Sequence, residues 1–308
     1  MAGKPSILII LGPTASGKSA LADAIARKRG GEILSVDSMQ VYRWMDIGTA
    51  KPASADRAAV GHHLLDLVDP DQSFTVATFV EAADAAIADC HARSVPVIAT
   101  GGTPLYYKSL FQGLFDGPPA DTGIRQRLHA QDGQELHKRL AAIDPQAASR
   151  IHANDIRRLI RALEVFELTG KPISSFQTDW DSPAQRHEAI WFGLLWDREA
   201  LNRRINARVK TMIAAGWLDE TRVLLQRFGK LSPTAGEATG YRELIDHLQG
   251  RISLDDAIEQ IKIATRQLAR KQMKWFKRFA NVQWLEGDRP IDENADRILQ
   301  FWRNSTNE

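Results

Sequence analysis

Eight consecutive residues, Gly12-Pro13-Thr14-Ala15-Ser16-Gly17-Lys18-Ser19, satisfy G-x-x-x-x-G-K-[ST] and stand between an apolar run at 6–11 and a helix-like stretch at 19–29. The glycines let backbone amides converge on phosphate oxygens, and a helix N-terminus adds partial positive charge. Lys18 can then reach the outer phosphate, and the Ser19 hydroxyl suits magnesium. The expected ligand is a diphosphate or triphosphate. A second candidate is Asp37, which follows Ile33-Leu34-Ser35-Val36 and falls at the carboxyl edge of a sheet near that loop. There a carboxylate can meet magnesium or take a substrate proton; a turn or N-cap is the ordinary alternative. Gly101-Gly102-Thr103 follows a further apolar run and brings a hydroxyl and unpaired amides to the same edge, although two glycines alone more often make only a turn. No Asn-Lys-x-Asp segment is present, and the run at 95–99 ends in Thr100-Gly101-Gly102 where a Walker B strand would end in an acid. That argues against a GTPase switch.

Positive charge is concentrated rather than abundant. Between Ile261 and Leu285 there is no acidic residue, while Lys262, Arg266, Arg270, Lys271, Lys274, Lys277 and Arg278 crowd the segment. A spacing of four puts Lys262, Arg266, Arg270 and Lys274 on one helical face, with Ile261, Leu268, Trp275 and Phe279 expected opposite, toward a core. Such a face contacts phosphates, or is simply solvated. Arg157, Arg158 and Arg161 form a second cluster, with Asp155 and Glu164 near enough to pair with them. His62-His63 lacks the companions of a metal site, and the tryptophans read mainly as core.

The elements that must position these residues follow from the apolar pattern. Strands are expected at 7–11, 32–36, 63–68 and 95–100, separated by helices at 19–29 and 76–93, which argues for βαβ units and a parallel sheet. Gly117-Pro118-Pro119 opens an insertion, with helices over 124–143 broken near Gly133 and another over 155–169 stopped by Gly170-Lys171-Pro172. A polar stretch at 174–186 closes it. A strand at 189–196 returns to the core, followed by a helix at 198–215. Two more helices, at 219–228 and 254–279, flank a loop at 229–240, and a last strand lies at 282–285. The fold class is therefore α/β: a parallel-sheet core containing the P-loop and flanked by helices, at 1–114 and 188–308, with a mainly helical insertion domain at 115–187.

The 308 residues, 44% of them hydrophobic, suffice for a large core, and 40 basic against 38 acidic residues leave a net charge of only +2. One cysteine, Cys90, excludes an intramolecular disulfide and a cysteine-built zinc site. Apolar runs are strand-sized and the first six residues lack a signal-peptide pattern, so the expectation is a monomer in the cytoplasm with no membrane partner.

In combination these blocks resemble the tRNA dimethylallyltransferases, also called tRNA isopentenyltransferases, of bacterial type. The resemblance runs through Gly12 to Ser19, Asp37-Ser38-Met39-Gln40-Val41-Tyr42, Gly48-Thr49-Ala50-Lys51-Pro52, His62-His63-Leu64-Leu65-Asp66 and Gly101-Gly102-Thr103-Pro104-Leu105-Tyr106. It continues through Asn154-Asp155, 157–165, Gly240-Tyr241-Arg242 and 265–272. Pro104 departs from the more common glycine.

The resemblance implies that the P-loop holds dimethylallyl diphosphate, with Mg2+ on Ser19, and that the acceptor is N6 of the adenosine just 3′ of the anticodon of tRNA. It implies Asp37 as general base, and Lys18, Thr103 and Arg222 as stabilisers of the leaving diphosphate. Ser38 and Gln40 would read the adenine edge. Contacts to tRNA are implied for Asp37, Ser38, Met39, Gln40, Thr103, Arg125, Arg157, Arg158, Leu159, Ile160, Arg161, Gly240, Tyr241, Arg242, Arg270, Lys271, Lys274 and Lys277. The competing readings are a P-loop kinase of a small molecule or nucleotide, whose chemistry leaves the basic helix without a role, and a nonenzymatic RNA-binding protein.

Overall fold

The computed structural model describes residues 7–113, 117–176 and 186–306. Ser6, residues 114–116 at the expected boundary of the insertion and most of the expected polar stretch at 174–186 therefore lie outside the described residues. β1 (Ile7–Leu11) is apolar and buried at every position, as a strand covered on both faces must be. The P-loop delivers the chain into α1 (Lys18–Arg29), which ends at Gly30 in the left-handed conformation. β2 (Glu32–Ser35) leads to Asp37, and α2 (Ser54–Ala59) precedes β3 (His62–His63).

β3 is far shorter than the strand expected at 63–68, because Leu64 and Asp66 turn into the left-handed region at φ 65° and 57°. Downstream, residues 66–68 bond instead to the 40–43 segment, with Leu67 N donating to the Val41 carbonyl at 2.7 Å and an isolated bridge between Tyr42 and Val68. The short edge is latched by polar contacts. His63 Nε2 lies 2.7 Å from Glu32 Oε2, and Arg93 donates to both Glu32 oxygens at 2.7 Å. Those bonds hold the Glu32 carboxyl at about 2, while burial pushes the neighbouring Cys90 thiol up to about 11.

α3 (Val76–Ala92), capped by Thr75, leads into β4 (Val97–Thr100), which begins later than expected because the Val95 amide closes the helix end on the Cys90 carbonyl at 2.8 Å. α4 (Pro104–Gln112) follows. The insertion comprises α5 (Thr122–His129), α6 (Gly133–Ile143), α7 (Pro145–Ala148) and α8 (Ile156–Thr169), the first two and the last capped by Asp121, Asp132 and Asp155. Leu128, Leu136, Leu140, Leu159, Ile160 and Leu163 form its core.

β5 (Ala189–Leu195) returns beside β1. The remaining elements are α9 (Arg198–Ala214), α10 (Trp217–Phe228), α11 (Pro233–Gly236), α12 (Tyr241–Leu248), α13 (Leu254–Phe276), β6 (Gln283–Glu286) and α14 (Ile291–Thr306). The expected 229–240 loop thus contains a helical turn. α13 stops three residues short of its expected end, where Lys277 caps it. α2, α4, α7, α12 and α14 are additions to the elements expected from the sequence.

All pairings are parallel, in the order β3-β2-β4-β1-β5-β6. With β4 inserted between β1 and β2, the carboxyl ends of these three strands are neighbours, and the P-loop, Asp37 and Gly101 leave the sheet side by side. The chain forms two compact units: Phe111–Arg186, and a larger one that ends at Leu110 and resumes at His187. Among the described residues no helix is long and apolar enough to cross a membrane.

Candidate active site

The P-loop takes its shape from positions that tolerate unusual backbone. Ala15 and Gly17 have φ of 64° and 92°, and a Cβ on Gly12 would lie 2.5 Å from the Ser16 hydroxyl. Gly17 caps α1 with no side chain, so the helix's first amides are not occupied by a capping group. The outer wall is braced. Trp196 Nε1 donates to the Ser16 carbonyl at 3.0 Å, Arg204 Nε donates to the Ala15 carbonyl at 2.9 Å, and the Arg204 guanidinium lies 4.4 Å over the Trp196 ring. Lys18 Nζ reaches the Pro13 carbonyl at 3.3 Å. Burial, then repulsion from Arg208, lowers the Lys18 ammonium to about 8 against the attraction of Asp37.

The β2 and β4 exits cross at close range. A Cβ on Gly101 would stand 2.0 Å from the Val36 carbonyl, so only glycine fits there. Thr103 N donates to that same carbonyl at 3.2 Å, and Thr103 Oγ1 accepts from Ser38 N at 2.9 Å. Asp37 Oδ1 accepts from the Met39 and Gln40 amides at 2.9 and 3.4 Å, which fixes the carboxylate's direction. Gln40, expected at an adenine edge, has both ends of its amide engaged within the protein. It accepts from Ser35 Oγ at 2.7 Å and donates to the Thr49 and Ala50 carbonyls at 3.2 and 3.4 Å. It is a strut between the Asp37 turn and the 48–52 segment.

A cavity of about 480 Å³ gathers Thr14, Lys18, Ser19, Asp37, Met39, Gln40, Gly101, Gly102, Arg208, Leu268 and Gln272 on its walls. Its far side, Gly48 to Ala50, is strapped down by one carboxylate. Glu220 accepts from the amides of Asp46, Ile47 and Gly48 at 2.9, 2.7 and 3.1 Å, and from the Tyr241 hydroxyl at 2.6 Å. Lys51, its side chain buried, adds bonds to the Tyr42 carbonyl, Asp46 and Asp66.

Several expected site residues fall elsewhere. Arg222 is exposed on α10, ion-paired with Asp219, and does not line the cavity. The arginine that does is Arg208 of α9, whose basicity is lowered chiefly by burial and partly restored by Asp37. A sequence signal for it existed: Leu201, Ile205 and Val209 form the buried stripe of α9, and Arg204 and Arg208 stand four apart along its margin.

On α13 the buried positions are Ala257, Ile261, Lys262, Ala269, Gln272 and Phe276. Lys262 is buried and paired with Glu259 at 2.5 Å, Arg266 donates to Asn206 at 2.6 Å, and Leu268 is exposed at the cavity wall. The expected division of faces is corrected accordingly, and Arg270, Lys271, Lys274, Lys277 and Arg278 remain exposed. Tyr241 is buried against Trp217, whose ring also covers Gly240, while Arg242 pairs with Glu243 at 3.0 Å.

In the insertion, Arg125 and Arg161 grip the fully buried Glu164 at 2.9 and 2.8 Å, and Arg158 pairs with Asp155 at 3.4 Å. Leu159 and Ile160 point their side chains into the core, so no surface contact through those side chains is available; Arg157 is exposed.

The model of the IPP transferase family matches residues 40–279, and that of isopentenyl transferases matches residues 5–66. A tRNA dimethylallyltransferase of Geobacter metallireducens is 46% identical over 303 residues, covering 97% of this chain and 98% of its relative. The chain belongs to the IPP transferase family. Solved IPP transferase relatives share its fold. The full-length tRNA isopentenylpyrophosphate transferase of Bacillus halodurans superposes with a TM-score of 0.74 at 37% identity, over 99% of this chain and 97% of that one. A eukaryotic dimethylallyltransferase, described as acting on tRNA, gives 0.83 at 29% identity over 96% and 77%.

Proposed function

We propose that this chain transfers the dimethylallyl group of dimethylallyl diphosphate to N6 of the adenosine immediately 3′ of the anticodon in tRNA, releasing diphosphate, as a monomer in the cytoplasm. The observation that carries this reading is a single cavity in which a carboxylate, Asp37, shares the walls with the P-loop, Lys18 and Arg208. An aromatic amine is a weak nucleophile because its lone pair is delocalised. Asp37 accepts the N6 proton as N6 bonds to C1 of the donor, the C1–O bond breaks, and its electron pair leaves on the diphosphate. Lys18, Arg208 and the loop amides receive that charge, with Thr103 holding the Ser38 turn beside it. Magnesium fits the hard oxygen donor here: the exposed Ser19 hydroxyl beside Lys18 would hold it, and it would neutralise charge on the diphosphate. The cations we infer to contact tRNA are the exposed ones of α13 and Arg242 in the larger unit and, separately, Arg157 and Arg158 in the insertion.

The test is transfer of label from C1-labelled dimethylallyl diphosphate to unmodified tRNA, run beside γ-labelled ATP with small acceptors. Label in tRNA that disappears when the target adenosine is replaced supports the proposal; phosphate transfer from ATP without prenyl transfer overturns it. Asp37→Ala should lower turnover by about 10²–10⁴-fold, with tRNA affinity held within a few-fold. A large loss of affinity removes Asp37 from the role of base.

A further inference from the structure

Gln272 of α13 is 6% exposed, and both ends of its amide are engaged by backbone groups of two separate loops. Oε1 accepts from the Thr14 N–H of the P-loop at 2.8 Å, and Nε2 donates to the Gly102 carbonyl at 2.7 Å. An N–H only donates and a carbonyl only accepts, so the amide has one orientation. The approach is close at Gly102, where a Cβ would stand 2.6 Å from Nε2 and push the amide aside. One turn earlier, Ala269 packs in one small cluster with Ala15, Leu201 and Ile205. α13 therefore holds the P-loop at two successive turns. Arg270, Lys271 and Lys274, which alternate with those inward residues, are exposed cations on the same helix. A helix moves as a packed unit, so whatever shifts its outer face shifts Gln272 with it.

We propose that Gln272 is a positioning residue that couples tRNA bound on the outer face of α13 to the shape of the diphosphate site. The inference rests on the function proposed above and adds cooperativity to it. The Thr14 amide is engaged by the helix rather than by phosphate, and the loop's remaining amides are aimed by the element that tRNA grips. Linkage makes the effect reciprocal: diphosphate tightens tRNA by the factor by which tRNA tightens diphosphate.

The experiment measures binding of inorganic pyrophosphate by calorimetry, with and without saturating unmodified tRNA. The wild-type protein, Gln272→Met and Gly102→Ala are compared, each with its thermal midpoint as a folding control. Methionine keeps the length of the side chain without its amide; alanine at 102 crowds the amide from the other side at 2.6 Å, its Cβ also meeting Asp37 Oδ2 at 3.4 Å, so its readout is binding and not turnover. In the wild type tRNA should tighten pyrophosphate by about 5–150-fold. In both variants that factor should fall to within about twofold of unity, while the affinity for tRNA alone changes less than about threefold, because no tRNA-facing cation has been removed. A merely structural role lowers stability and leaves the factor intact. If Gln272→Met unfolds, Gly102→Ala alone decides. A factor retained in the folded variants removes Gln272 from the coupling, and no factor in a wild type that transfers the prenyl group overturns the coupling itself; either result leaves the proposed function standing. Coupling without prenyl transfer does the reverse.

Discussion

Lys18 is a cation in surroundings that oppose its charge. With its ammonium lowered from 10.5 to about 8, Lys18 is half charged near pH 8 and loses its charge above it. Between those values the unfolded chain binds more protons than the native one, so stability of the empty protein rises with pH across that window. A diphosphate supplies the missing negative charge and favours the protonated lysine. The gain in thermal midpoint from inorganic pyrophosphate should therefore be larger at pH 7 than at pH 9.5, and Lys18→Met should flatten the difference. Equal gains for the wild type at both pH values would remove Lys18 from the diphosphate. The two candidate arginines separate by kinetics. Arg208→Ala should lower kcat/KM for the donor by about 10²–10³-fold, as loss of a donor to developing charge does. Arg222→Ala, which breaks only an exposed pair, should stay within about threefold. Periodicity could have placed Arg208 beside the buried stripe of α9, but not that this stripe packs next to the P-loop, because tertiary docking decides which helix faces the cavity.

At the scale of elements, strands buried on both faces are readable because continuous apolar runs bounded by glycines have few other uses, as in β1 and β4. β3 escapes that rule because the apolar residues Leu64 and Leu65 continue the run, while the left-handed turn at Leu64 and Asp66 depends on the Lys51 and Arg57 bonds to Asp66. α12 begins at Gly240 and takes its cap from Glu243 reaching back to the Gly240 amide at 2.7 Å, so the usual N-cap signal is absent. α14 is legible in principle: Ala295, Ile298, Leu299 and Trp302 recur with helical spacing and pack in the sheet's core cluster. One helix end offers a clean test. α3 stops with Ser94 at φ 55°, its amide bonded to the His91 carbonyl at 3.1 Å, in the position glycine prefers. Ser94→Gly should raise stability by about 0.5–1 kcal/mol in denaturant unfolding, with activity unchanged. A loss of stability would show that the left-handed geometry carries no strain.

For the whole molecule, a net charge of +2 hides the distribution that matters. Folding divides the basic segment into two classes. Lys262 and Arg266 are engaged by Glu259 and Asn206, whereas Arg270, Lys271, Lys274, Lys277 and Arg278 stay at the surface. Counterion release reflects only cations that meet phosphates, so the two classes should differ in salt dependence rather than in affinity alone. Reversing Arg270 and Lys274 to Glu should weaken tRNA binding and reduce the slope of log K against log salt by about 0.7–0.9 for each phosphate that is no longer neutralised. Replacing Lys262 and Arg266 by Met should leave that slope unchanged, even where packing against α9 and stability suffer. Measured by filter binding across a salt series, an unaltered slope in the first double variant would assign the outer face of α13 to solvent. An altered slope in the second would mean that the bonds of Lys262 to Glu259 and of Arg266 to Asn206 open when tRNA binds, enlarging the electrostatic footprint beyond what the free protein exposes.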